Sequence, residues 1–376
     1  MTKQNIIEQL SKIKYPGFSK DIISFGMLRE ISISDEIITI NLSQSTNEQE
    51  VLDKIKSDIL DQVALINHSN REIKVIMNPS KNLSKTNSET IRTKNIKNII
   101  AVSSGKGGVG KSTIAINLAS ELSKTYKVGL LDLDIYGPSL PTLIGDKQIP
   151  KVVENNLLIP INKFNMKFMS FGFLNSKNDP AIWRGPMVSK LTHQFFDNVE
   201  WGDLDYLILD LPPGTGDIQL TLVQKIALTG AIIITTPQDL AHQDVKKGSD
   251  MFSKVNTPVL GVIENMSFYN LKGKINGFQN ESMGLSIEAI DKEIKVNDDG
   301  HFDVDIEIFK GKSGKKESSR LGIPLLGAIP LDPQLSLLSD IGKPYVFEKE
   351  NSPISNIFKS ISKKITKIVK TNKEQV

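Results

Sequence analysis

An α/β fold, with a mostly parallel sheet flanked by helices and a small α+β domain ahead of it, is the class this sequence predicts. Three observations carry that expectation. After residue 96, short apolar runs rich in β-branched residues alternate with runs of helical period, the pattern of a parallel sheet covered on both faces. A glycine-rich stretch, "SSGKGGVGKST" (103–113), falls between one such strand and the helix after it. The tract 79–95, "PSKNLSKTNSETIRTKN", is almost free of apolar residues and separates an earlier, self-contained pattern from the later one.

In chain order, Ile6, Ile7, Leu10 and Ile13 fall at helical spacing, and "YPGFSKD" ends that helix. "IISFGMLREISIS" and "EIITINLS", parted at Ser34 and Asp35, predict a β-hairpin. Val51, Leu52, Ile55, Ile59, Leu60 and Val63 predict a second helix, and "EIKVIM" a third strand, so the first domain covers 1–78 and a linker 79–95. A second domain, 96–350, opens with the strand "NIIAVSS", the helix "STIAINLASELSK" and the strand "KVGLLDLD"; the alternation returns at "LDYLILDLPPG", "GAIIITTP" and "VLGVIEN". Residues 268–320 interrupt it as a strand-rich insertion with a charged, Gly-rich exit. In the closing segment, 351–376, Ile354, Ile357, Phe358, Ile361, Ile365, Ile368 and Val369 line one face of an amphipathic helix, with Lys359, Lys363, Lys364 and Lys367 on the others.

The composition, 376 residues with 39% hydrophobic, 24% charged and a net charge of +3, describes an ordinary globular protein and gives no reason to expect nucleic acid as a partner. Cysteine is absent, which excludes disulfides, thiolate metal sites and a thiol nucleophile within the chain. "MTKQNIIEQL" lacks the apolar run and small-residue cleavage site of a signal peptide, and no run of about 18 apolar residues offers a membrane span, so a cytoplasmic location is expected.

Gly105, four further residues, then Gly110, Lys111 and Ser112 match the phosphate-binding P-loop in its proper place between strand and helix. Glycines let the backbone wrap close to phosphates, so the amides from Gly107 through Gly108, Val109 and Gly110 to Lys111 donate to phosphate oxygens at the helix N-terminus, with Thr113 closing the segment. Lys111 is expected to neutralise the β and γ phosphates of ATP, and Ser112 to ligate Mg²⁺. Asp210 ends the apolar strand "YLILD", where a carboxylate would help hold Mg²⁺, and "PPGTGD" follows it as a turn able to move with the γ phosphate. Asp132 and Asp134 end another strand; Asp134 is the choice for orienting the attacking water, with helix capping or turn formation the alternative for either strand-end carboxylate. Positioning and charge neutralisation suffice for slow hydrolysis, so a switch is expected.

With Lys106 directly after Gly105, "GKGGVGKS" resembles the deviant Walker A motif of the MinD/ParA/nitrogenase-iron-protein class. The resemblance implies a homodimer in which Lys106 reaches the phosphates bound by the other subunit. Within that class the chain is most similar to the Mrp/ApbC iron-sulfur cluster carrier ATPases, through "LLDLDIYGPSLPTLIG" (130–145), "WRGPM" (183–187), "DLPPGTGDIQLTL" (210–222), "TTPQDLAHQDVKKG" (235–248), "IENMS" (263–267) and "GIPLLGAIPLDP" (322–333). The N-terminal domain, with "DIISFGMLREI", resembles the MIP18-type domain. By the same resemblance Asp134 belongs to switch I, Asp210 to switch II and Asn265 to the adenine-reading loop, and iron-sulfur assembly or client proteins are the implied partners.

The chain departs from that family where the cluster would sit. A Cys-x-x-Cys pair binding a bridging [4Fe-4S] cluster is expected after "ENMS", but "FYNLKGKINGF" stands there, and "SQSTNEQE" replaces a further Cys of the N-terminal domain. His68, His193, His242 and His301 are scattered, and only His301, in "DDGHFDVD", has carboxylates close in sequence. Cluster binding by the usual ligands is therefore excluded: either the chain supports cluster biogenesis without holding the cluster, or the insertion offers a protein-binding surface instead. Two other functions stay open at this point. One is a MinD/ParA-like positioning ATPase whose basic C-terminal helix lies on a membrane surface, against which packing of that helix on the core is favoured. The other is a non-hydrolysing ATP-binding adaptor.

Overall fold

The computed structural model describes residues 2–14, 21–23, 27–43, 49–67, 71–78, 95–153, 157–174, 192–277, 285–287 and 290–374. It divides into two compact units, Met1–Glu89 and Thr90–Val376. The expected linker 79–95 lies outside the described residues except for Asn95, as do "WRGPM", His68 and most of "SQSTNEQE".

In the first unit α1 (Lys3–Leu10) is started by Thr2, whose hydroxyl accepts from the Asn5 N–H in a capping box. Strands β1 (Leu28–Ile33) and β2 (Ile37–Ser43) form the antiparallel hairpin, and α2 (Gln49–Ala64) carries the chain over to β3 (Glu72–Asn78), parallel to β2. The apolar positions read from the sequence meet here: Ile6 and Leu10 of α1, Ile55, Ile59 and Val63 of α2, and Ile38, Ile40 and Leu42 of β2 form one core.

The second unit begins with β4 (Ile99–Ser104), α3 (Lys111–Ser123), β5 (Val128–Asp132) and the short α4 (Leu140–Leu143). The small ribbon β6 (Val152–Val153) and β7 (Leu157–Leu158) follows, then β8 (Ile161–Lys163), β9 (Met166–Ser170), α5 (Phe171–Leu174) and a helix α6 over 192–197. Next come β10 (Tyr206–Asp210), α7 (Asp217–Lys225), β11 (Gly230–Thr235), α8 (Asp239–Lys254), β12 (Val259–Lys274), β13 (Leu285–Ile287), β14 (Ile290–Ile294) and β15 (His301–Ile306). The unit closes with α9 (Ser313–Leu321), β16 (Leu325–Leu331), α10 (Pro333–Asp340), α11 (Tyr345–Glu348) and α12 (Pro353–Glu374).

Nine strands form one sheet in the order β15-β12-β11-β4-β10-β5-β9-β8, with β16 also pairing on β12. All neighbours are parallel except β8 on β9 and β15 on β12. Every residue of β4, β5, β10 and β11 is buried, which is why those strands read as unbroken apolar runs. The sequence reading gave no strand to 161–170, where β8 and β9 lie, nor to 325–331.

Two parts of the second unit are more specific than their sequence pattern. Residues 268–320 do hold strands, but the first of them is a continuation of β12, and the charged exit is the helix α9, fastened to α8 by ion pairs Lys316–Asp239 (2.7 Å) and Arg320–Asp250 (2.8 Å). The apolar face of α12 is occupied: Ile354, Phe358, Ile361, Ile365 and Val369 are buried, Ile361 packs where Gly327 of β16 has no side chain, and Lys364 Nζ donates to the Leu326 carbonyl at 2.8 Å. Packing on the core is the arrangement the sequence favoured over a membrane-surface role, and an apolar stripe packed on protein is not available to lipid. Among the described residues no helix is long and apolar enough to cross a membrane.

Candidate nucleotide site

The carboxyl ends of β4, β5 and β10 meet at one place because these strands are parallel neighbours, and register sets Asp210 of β10 directly beside Asp132 of β5. The loop from Gly105 to Gly110 leaves β4 there and runs into α3. Gly108 and Gly110 both hold φ +78°, the left-handed conformation that turns successive amides to one side. Gly105 passes so close to α8 that any Cβ would strike the Asp244 carbonyl. The loop frames a cavity of about 230 Å³ lined by Ser104, Gly107 to Thr113, Asp134, Gly137, Ser139, Leu143 and Pro213. Gly110 is the N-cap of α3 with no side-chain cap, so the first N–H groups of the helix are left for a ligand.

The charged residues beneath the cavity are almost fully enclosed. Lys111 Nζ donates to Asp210 Oδ1 and lies 3.5 Å from Ser112 Oγ. Asp132 is 1% exposed; its Oδ1 accepts from the Asp134 N–H (2.9 Å), and its Oδ2 from Ser170 Oγ (2.9 Å) and the Leu140 N–H (3.3 Å). Burial, and secondarily the charge of Asp210, push the Asp132 carboxyl up to about 7. Two carboxylates and one ammonium thus share a dry pocket. Ser112 and Asp210 supply hard oxygen donors of the kind that suits Mg²⁺.

Asp134 stands at the cavity rim, where its Oδ1 accepts from the N–H groups of Tyr136 and Gly137 (both 3.2 Å) while Oδ2 takes no hydrogen bond among the described residues. Lys106, half-buried, points away from its own loop and donates to Gln238 Oε1 at 3.0 Å, immediately before α8. Asn265 lies under the loop: it is 5% exposed and its Nδ2 donates to the Val109 carbonyl at 2.8 Å. The structure therefore gathers Gly107 to Thr113 and Asp134 around one cavity, joins Asp210 to it through Lys111, and sets Lys106 against Gln238 and Asn265 behind the loop. Sequence reasoning named Asp132 only as a strand-end carboxylate and overlooked Gln219, whose Nε2 ties α7 to Ser103 of β4 at 2.6 Å. The doubled acid in "LLDLD" was the available signal for the first.

A mostly parallel sheet with this loop between its β4 strand and α3 defines a nucleotide-binding P-loop NTPase. The chain belongs to the family described as NUBPL iron-transfer P-loop NTPases, whose model matches residues 95–366, and a model for iron-sulfur cluster assembly proteins matches residues 3–75. An iron-sulfur cluster carrier protein of Aquifex aeolicus is 45% identical over 280 residues, 73% of this chain and 69% of that protein. A carrier protein of the same description from Synechocystis is 34% identical over 371 residues, 97% of each chain. Among solved structures, a nucleotide-binding protein from Archaeoglobus fulgidus in complex with ADP has 32% identity and a TM-score of 0.55, covering 73% of this chain and 98% of that one.

The cargo named for these relatives does not fit the side chains present. Iron-sulfur clusters are held by thiolates, with histidine an occasional substitute. The chain has no cysteine, and among the described residues no three His, Asp or Glu side chains gather to hold a metal ion. In "FYNLKGKINGF", residues 268–274 are strand residues of β12, of which 269–274 pair with β15; Lys272 there forms an ion pair with Asp303 (2.8 Å), and His301 faces a different strand position, opposite Lys274.

Proposed function

We propose that this protein is a cytoplasmic ATPase, slow and homodimeric, that acts as a switch in iron-sulfur protein maturation without holding the cluster itself. The observation that carries the reading is the P-loop cavity over the buried Lys111–Asp210 pair, in a chain of the iron-transfer family that has no thiol. On this reading 1–78 is an assembly-protein domain, 96–350 the ATPase with 268–320 as its variable part, and 351–376 a helix belonging to the ATPase core.

Backbone N–H groups of Gly107 to Lys111 take the phosphate oxygens, aided by the N-terminus of α3. Lys111 exchanges its bond to Asp210 for the β and γ phosphates, which frees the Asp210 carboxylate to work with Ser112 Oγ in holding Mg²⁺. The bound ion supplies charge neutralisation at the phosphate oxygens. Asp134, with Oδ1 fixed by two backbone amides, presents Oδ2 to orient water in line with the γ phosphate. Lys106 leaves Gln238 and reaches the phosphates of a second copy, supplying a further cation there. Partners are a second copy of the chain and iron-sulfur assembly or client proteins.

Steady-state ATP turnover tests this directly. The protein is expected to hydrolyse ATP slowly and Lys111→Ala not at all above background. A protein that binds ATP yet turns over no faster than Lys111→Ala is the non-hydrolysing adaptor instead. The positioning-ATPase alternative is disfavoured by α12, whose apolar face is spent on the core.

A further inference from the structure

The phosphate-binding loop is fastened from behind by a residue 155 positions away from its nearest loop neighbour, counting from Gly110 to Asn265. Asn265 is the last residue of β12 in register with β16 before a shift in their parallel pairing, is buried, and donates from Nδ2 to the Val109 carbonyl. In a trans peptide the carbonyl and the following N–H point in opposite directions. Fixing the Val109 carbonyl toward Asn265 therefore turns the N–H of Gly110, itself a residue of the cavity wall, away from Asn265. Gly110 has no room for a side chain because the Asn265 amide fills that space, and the Met266 methyl carbon lies 3.8 Å from the same point.

Met266 is held at φ +56°, where a non-glycine residue stays only if its surroundings fix it. Directly beyond it the pairing of β12 with β16 slips: Asn265 faces Ile329 while Tyr269 faces Leu331, so four steps on one strand match two on the other. Ser267 Oγ bridges this bulge to the Glu264 carbonyl at 2.8 Å. After the bulge Tyr269 still faces Leu331 of β16, while residues 269–274 pair antiparallel with β15. One joint thus touches the nucleotide loop on one side and roots an exposed ribbon on the other.

We propose that Asn265 is a positioning residue for the phosphate-binding loop, and that the Asn265–Met266 joint passes the state of that loop to the ribbon of β12 and β15. The inference rests on the loop being the nucleotide site. It also reassigns Asn265, whose amide is committed to the loop backbone rather than presented to an adenine ring.

Hydrogen exchange and nucleotide titration on the full chain test it, with Asn265→Asp, which replaces the donor by a second acceptor, and Met266→Gly, which keeps the left-handed backbone without strain. Without nucleotide, Asn265→Asp is expected to exchange faster than wild type across 105–113. ATP and GTP affinities are expected to fall in parallel, roughly tenfold, about one hydrogen bond's worth. ATP is expected to alter exchange at 268–274 and 301–306 in wild type, and this response to shrink in Met266→Gly while ATP affinity changes little. Unchanged exchange across 105–113 in the Asp variant overturns the clamp, and a loss of ATP affinity with GTP untouched makes Asn265 an adenine reader. A ribbon response equal in wild type and Met266→Gly overturns the joint. Wild-type protein that binds neither nucleotide removes the nucleotide-site reading and the joint with it, whereas the nucleotide-free exchange still decides the clamp.

Discussion

Replacing Lys111 by Met keeps most of the volume of the side chain and removes only its charge. In the folded protein Lys111 is 6% exposed and is the cation paired with Asp210, itself 3% exposed and in register with the buried Asp132. The substitution leaves two buried carboxyl groups with no positive partner among the described residues. Breaking a buried pair by removing one member costs about 3–5 kcal/mol, most of it the penalty of the charge left behind. Chemical denaturation of the nucleotide-free protein, followed on the transition of the second unit, is expected to show that loss at neutral pH. Lys111→Met combined with Asp210→Asn is expected to recover much of it, because the uncompensated charge is gone. A loss below about 1 kcal/mol for the single variant, or a double variant no better than the sum of the two singles, would refute the reasoning: the enclosed Lys111–Asp210 pair would then not be the organising charge of the empty site.

Further outcomes follow from the same geometry. Because the Asp132 carboxyl is raised to about 7, the folded chain keeps a proton that the unfolded chain has given up; its contribution is full below about pH 4 and is lost as pH rises through 7, at up to about 1.4 kcal/mol per pH unit. Nucleotide-free stability measured from pH 5 to 7 is expected to decline by that route, and a wild-type slope equal to that of Asp132→Asn would contradict it. Phe358→Ala, at a fully buried position of α12, is expected to lower the stability of the second unit by about 3–5 kcal/mol, whereas a loose helix would lose almost nothing in the same denaturation experiment. Anaerobic reconstitution with iron and sulfide is expected to leave the purified chain without stoichiometric iron or cluster absorbance; stable loading would show that ligands other than thiolates suffice.

Strands buried on both faces were legible because their burial is written as unbroken apolar runs, as in "NIIAVSS" and "GAIIITTP". β9 escaped because "MKFMS" has a charged residue within a short run and no β-branched residue. α9 escaped for a different reason: "SGKKESSRL" has little apolar stripe, and it is held to α8 by the ion pairs of Lys316 and Arg320 and by the buried Glu317, which accepts from Ser249. The loop 105–113 was legible in full, since glycine spacing between strand and helix is itself the mechanism. The role of Asp132 was not, because nothing in a single sequence states that β5 and β10 are neighbours in register. Nor could spacing reveal that Asn265 spends its amide on Val109, a contact created only when β12 passes under the loop.

Light scattering of the protein with Mg²⁺ and ATP, beside ADP, tests the switch most directly. The expected result is a mass near twice the 41.6 kDa of one chain in ATP, and a single chain in ADP or with Lys106→Ala. A single-chain mass under conditions where titration shows ATP bound would contradict a nucleotide-driven dimer and, with it, the trans role of Lys106.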